Sequence, residues 1–103
     1  MAKHRIVRWS KQTLPTDSEV EALLHAEGYE SFTWYDVPGA TYRRHKHDYD
    51  ECIWVIQGSM QFEIEGETCL LNPGDRLYLP KSLHHTAEVP GRGVSYLVGQ
   101  KRT

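Results

Sequence analysis

Residues 39–58 read GATYRRHKHDYDECIWVIQG. Histidines stand at 45 and 47, and a glutamate stands at 51, where a long apolar run begins. On a strand, residues two apart point to one face, so His45 and His47 project together. Two neutral imidazoles side by side make a bidentate grip on a first-row metal. In a charged segment such a pair is by itself more often a surface pair than a ligand pair, so the wider pattern has to decide. A tight turn at Asp48-Tyr49-Asp50 would bring the Glu51 carboxylate back beside the imidazoles. A third nitrogen can come from the pair His84-His85, and only one of them can join, because adjacent strand residues face opposite ways. Arg43 shares the phase of His45 and His47. On an unbroken strand its guanidinium enters the same space, where it could grip a carboxylate or phosphate. Arg44 and Lys46 have the opposite phase and read as a solvated edge.

On either side the pattern is one of short strands. Segments rich in Val, Ile, Tyr, Trp and Phe are separated by Val37-Pro38-Gly39, Gln57-Gly58-Ser59, Glu65-Gly66-Glu67, Asn72-Pro73-Gly74-Asp75 and Pro90-Gly91. This rhythm predicts an all-β sandwich or barrel, with strands near 32–36, 41–47, 51–57, 60–65, 67–71, 76–79, 84–88 and 93–99. Met60 to Glu65 alternate cleanly between apolar and polar, as a half-buried strand does. Cys52 to Ile56 are apolar on both faces and need a second cover. Trp54 and Ile56 face away from Glu51, and that patch would suit dimer formation unless the chain's own helix covers it. Before the strands, Thr16-Asp17-Ser18-Glu19 carries a capping-box signature, and Val20, Leu23 and Leu24 follow at helical spacing. Together these predict one short helix over 17–27. Arg5 to Trp9 alternate weakly and could form a further strand.

Composition narrows the classes. The chain has 103 residues, which fits a single domain: an arm and helix over 1–30 and a barrel over 31–99. Twelve Lys and Arg against fourteen Asp and Glu argue against a generally basic nucleic-acid binder. No stretch is apolar enough to span a membrane or to act as a signal peptide, so the cytoplasm is the expected location. Cys52 and Cys69 are too few for a disulfide framework and are expected to be reduced. No phosphate-binding glycine loop or nucleophile elbow is present.

The stretch from Gly39 to Gly58 resembles the first motif of the cupin family: Gly, five residues, His-x-His, three residues, Glu, six residues, Gly. Gly74, Pro80 and His85 fall at the spacing of the second motif, with Ser82 where the family has a glycine and Val89 where it has an asparagine. The resemblance covers about residues 31–99 and implies a double-stranded β-helix, a jelly-roll barrel. It implies a metal on His45, His47, Glu51 and His85, with His84 facing away. Three imidazoles and one carboxylate suit Fe, Mn, Ni, Cu, Co or Zn and are a poor cage for Ca. Open positions on such an ion would admit substrate, water or O2.

The fold hosts oxygenases, decarboxylases, isomerases, lyases and ligand sensors. The sequence therefore leads to a metal-dependent enzyme, dioxygenase-like or lyase/isomerase-like, acting on a small polar or anionic molecule. The alternatives are a non-catalytic sensing module and a cupin whose metal only stabilises the barrel. Arg43, Tyr35, Tyr78 and Tyr96 are the expected substrate contacts, with Trp34 a further candidate. A homodimer is the expected assembly, with no nucleic-acid or membrane partner.

Overall fold

The structure, a computed structural model, describes residues 3–102. Strand β1 (Arg5–Val7) and helix α1 (Asp17–Ala26) lead into β2 (Glu30–Asp36), β3 (Thr41–His45), β4 (Asp50–Gly58) and β5 (Met60–Ile64). Strands β6 (Glu67–Leu71), β7 (Arg76–Leu79), β8 (His85–Glu88) and β9 (Val94–Lys101) complete the chain. They form two antiparallel sheets, ordered β1-β7-β4-β9-β2 and β3-β8-β5-β6. From β2 to β5 and again from β6 to β9 the chain alternates between the sheets, and the two inner faces close on one core. Ile53, Val55, Phe62, Ile64, Leu77 and Leu79 lie in it. β1 joins the five-stranded sheet as an edge strand on β7, so the N-terminal arm is part of the barrel wall.

Helix α1 begins as its sequence predicts. Thr16 Oγ1 accepts the Glu19 N–H at 3.2 Å, and Glu19 Oε1 accepts the Thr16 N–H at 3.4 Å. The helix stops at Ala26, and Gly28 follows at φ +92°, a conformation a glycine adopts at little steric cost. Val20 and Leu24 are fully buried against Cys52, Trp54 and Leu97 on the outer face of the five-stranded sheet. Each such burial contributes about 1.5–3 kcal/mol. This corrects the expectation of an open dimer patch at Trp54 and Ile56: Trp54 is covered by the chain's own helix, and Ile56 packs beside it.

The Asn72–Asp75 turn ties the arm down. The buried Asp75 carboxylate accepts the Trp9 N–H at 2.9 Å, the Asn72 N–H at 3.0 Å and the Arg8 guanidinium at 2.9 Å. Burial alone would raise its pKa. The two backbone donors and Arg8 outweigh that and hold it below its ordinary value. Asp75→Ala is expected to cost about 2–3 kcal/mol, because it leaves two backbone donors without partners. Because the folded-state pKa is depressed, this stabilisation is complete above the unfolded-state value of about 4 and is lost as pH falls through the folded-state value. The stability gap between wild type and Asp75→Asn should therefore be widest near neutrality and close in acid. Urea melts across pH 3–7 check this.

Candidate metal centre

The site depends on an irregularity. β3 pairs with β8 through Tyr42↔Ala87 and His45↔His85, so three steps on β3 match two on β8. This bulge breaks the two-residue phase. Tyr42 and His45 both line the central cavity, and Arg43 and Arg44 between them are exposed. Arg43 therefore does not share the inward phase of the histidines, and the expected anion grip is not built.

His45 Nδ1 lies 2.6 Å from the Arg43 carbonyl oxygen, and His85 Nδ1 lies 3.0 Å from that of Leu83. An Nδ1–H donating to each carbonyl fixes the tautomer and leaves Nε2 as a lone-pair donor. His47 follows the end of β3, and its carbonyl accepts the Ser82 N–H at 2.8 Å. One nitrogen from each of His45, His47 and His85 falls within 4.8 Å of the others. Glu51 Oε1 stands 3.5 Å from His47 Nε2 and 3.9 Å from His85 Nε2. Two donors at about 2.1 Å from a shared ion can be at most about 4.2 Å apart, so both separations fit.

The electrostatics suit a cation. Glu51 is 7% exposed, and no hydrogen bond supports its carboxylate among the described residues. Burial pushes its pKa up to about 7. His85 is 3% exposed, and burial pushes it down to about 4, which keeps the imidazole neutral at physiological pH. His47 is lowered too, by burial first and then by His45. Neutral imidazoles beside a poorly supported carboxylate are the donor set that a divalent cation satisfies. His84 does not line this cavity and borders instead a cleft with Arg44, Glu63 and Glu65, which His85 also touches. Ser82, where the family pattern has glycine, sits at φ +69°. Ser82→Gly is accordingly expected to raise stability by about 0.5–1 kcal/mol in thermal melts.

The cavity has a volume of about 420 Å³. Apart from the histidines, Glu51 and Gln100, its lining is apolar or aromatic, with no lysine or arginine. Of the expected substrate contacts, only Tyr96 and Trp34 line it. Tyr78 lies on the outer face, where its hydroxyl donates to Glu27 at 2.7 Å and Arg5 stacks on its ring. Leu77 and Leu79 take the inward phase of β7 instead. Tyr35 alternates with Phe32 and Trp34 and so points out of the barrel, more than half exposed. Three other residues bear on the site. Tyr42 enters through the bulge. The Tyr49 ring stacks on His47 with centroids 4.8 Å apart. Asp36, buried at the end of β2, accepts hydrogen bonds from cavity-lining rings. Tyr49 shares the odd phase of His45, His47 and Glu51, a signal the sequence held. Asp36 reads only as the last residue of a strand.

Comparison with known proteins settles the family, since the profile of the cupin domain matches residues 32–98. The chain belongs to the cupin family. A cupin 2 domain-containing protein from Halorhodospira halophila superposes on all of this cupin and on 80% of its own length, with a TM-score of 0.76 at 16% identity. That likeness shows the fold, a double-stranded β-helix. The DMSP lyase DddQ from Ruegeria pomeroyi DSS-3 is 25% identical over 72% of this cupin and 38% of the lyase, with a TM-score of 0.66. The uncharacterized HTH-type transcriptional regulator YobQ of Bacillus subtilis is 37% identical over 51 residues, half of this chain and 21% of the regulator. The cupin thus spans about a fifth of that regulator and less than half of that lyase. Among the described residues, no helix is long and apolar enough to cross a membrane.

Proposed function

We propose that His45, His47, Glu51 and His85 hold a divalent transition metal and that the protein is a metal-dependent enzyme acting on a small molecule in the adjoining cavity. The convergence of three imidazoles, those of His45 and His85 fixed in tautomer, and a buried carboxylate at one end of that cavity carries this reading. A metal held there would supply Lewis-acid or redox chemistry at positions the four side chains leave open. The protein's own part is to orient the substrate and exclude water. Ile53 and Val98 from one sheet and Met60, Phe62 and Ala87 from the other supply the apolar lining of the cavity. Tyr49, beside His47, places a hydroxyl within the lining, where it can hold or pass a proton. Burial raises its pKa, so it stays protonated near neutrality.

The apolar lining revises the substrate class. A molecule with several charges would be desolvated there without partners. We therefore favour a compact, largely apolar body with one polar end directed at the metal. The likeness to a DMSP lyase favours bond cleavage or isomerisation over oxygenation. A second reading, reversible ligand sensing, draws on the likeness to part of a transcriptional regulator. Metal-loaded protein should convert members of a panel of small carboxylic acids and enols, followed by NMR with parallel O2-uptake measurement. Conversion must vanish on chelation and return on reloading. Saturable binding without turnover across the panel would favour the sensor.

A further inference from the structure

The end of the cavity away from the histidines has its own organisation. Trp34, Tyr42 and Tyr96 line the cavity, and all three bind one carboxylate. Trp34 Nε1 donates to Asp36 at 3.1 Å, Tyr42 at 2.8 Å and Tyr96 at 2.7 Å. An indole N–H can only donate, and the two phenol hydroxyls can donate as well, so three ring donors converge on the Asp36 carboxyl group. Among the described residues no lysine, arginine or histidine pairs with Asp36, and none of the cavity-lining residues is a lysine or arginine. The Asp36 carboxyl group is thus buried with no cationic partner among the described residues. Phe32 extends the aromatic wall, edge-to-face on Trp34 with centroids 6.1 Å apart.

Resting on the reading of this cavity as a ligand site, we infer that its aromatic end takes a quaternary-ammonium-type cation as the head group of the bound molecule. The faces of aromatic rings are electron-rich and attract cations, most strongly where water is excluded. Donation of a phenol or indole hydrogen to a carboxylate enriches the ring further. Three rings tethered to one carboxylate are held in place before binding, which lowers the ordering cost. An alkylated ammonium is weakly hydrated and has no N–H to satisfy, so an apolar aromatic wall suits it better than it suits a lysine-like amine. Tyr42 connects the two ends: its ring is 6.3 Å from that of His45, and its hydroxyl is on Asp36. The head group would then sit about one tyrosine length from the histidines, leaving the polar end to reach them.

Choline and its carbon isostere, 3,3-dimethylbutan-1-ol, have the same shape and differ in charge. Calorimetric titration of the metal-loaded full chain should give choline roughly tenfold tighter binding than the alcohol. Asp36→Asn should bring the two within about twofold of each other. Trp34 is 49% exposed at the edge strand, so Trp34→Leu should fold normally and weaken choline binding while leaving the alcohol unchanged. Equal binding of choline and alcohol by the wild type would overturn the inference. So would choline binding that neither variant alters, or binding of neither compound. If the metal loads normally in those cases, the metal reading stands and only the head-group assignment fails. If choline shows the expected preference while no metal binds, the failure lies with the metal reading.

Discussion

A His85→Ala variant is expected to bind its metal at least about 100-fold more weakly than wild type. Losing even a residue that only orients a ligand costs about 10–100-fold, and His85 is proposed as a ligand itself. Its ring is buried, and its Nδ1 lies against the Leu83 carbonyl. Its chain neighbour His84 has the opposite strand phase and does not line the cavity that holds the other two histidines. The change should also uncouple metal from stability. At a metal concentration of 100 times Kd the wild type gains about 2.7 kcal/mol, and His85→Ala should gain almost none. Thermal melts with and without added metal read this directly. His84→Ala provides the control and should keep both the affinity and the metal-dependent shift. A loss confined to His84→Ala would mean that the wrong histidine has been assigned, and equal losses in the two variants would mean that the effect is not specific to His85.

Gly58→Ala should produce the largest loss of stability for the smallest chemical change. Gly58 ends β4 at φ +81°, a left-handed conformation that costs an alanine about 1–2 kcal/mol. A Cβ there would also run into the carbonyl oxygen of Gly93 and stand 3.1 Å from the Val94 Cα, both backbone atoms of the paired chain. β4 and β9 form the centre of the five-stranded sheet, so the strands must separate to admit a methyl group. The total cost should be about 3 kcal/mol or more, lowering Tm by more than about 12 °C. Gly66 separates the two effects. Its φ is +82°, but nothing lies within 4 Å of an added Cβ. Gly66→Ala should therefore cost only the conformational part, about 1–2 kcal/mol. Equal Tm shifts would show that the contact with Gly93 carries no weight.

The last glycine of the first motif thus has a steric reason, and much else in the motif was legible for similar reasons. The spacing of His45 and His47, with His85 from the second motif, points to the three histidines that the fold brings within 4.8 Å of one another, and Glu51 on β4 stands 3.5 Å from His47. Thr16 and Glu19 announce the helix because capping is local chemistry. Strand ends were harder: β3 stops at His45 rather than at residue 47. The bulge between Tyr42 and His45 had no signature, since Arg43-Arg44 carries neither glycine nor proline. A one-residue slip in phase exchanges inward for outward, and that is why Arg43 was expected inside and Tyr42 was not. β2 was ambiguous for another reason. Phe32, Trp34 and Tyr35 are all aromatic, so alternation could not say which face was wet. The two-sided apolar character of β4 called for a cover, but only tertiary packing shows that α1 supplies it. Asp36 becomes a hub only when β2, β3 and β9 come together around it.

The central claim is that this cupin holds a metal on the three histidines and Glu51. Metal content by plasma mass spectrometry, on untagged protein purified without chelator beside a His47→Ala variant, tests it most directly. The account predicts close to one transition-metal ion per wild-type chain and almost none in the variant. Equal metal in both, or none in the wild type even after reconstitution with Fe, Mn, Co, Ni, Cu and Zn in turn, would contradict it.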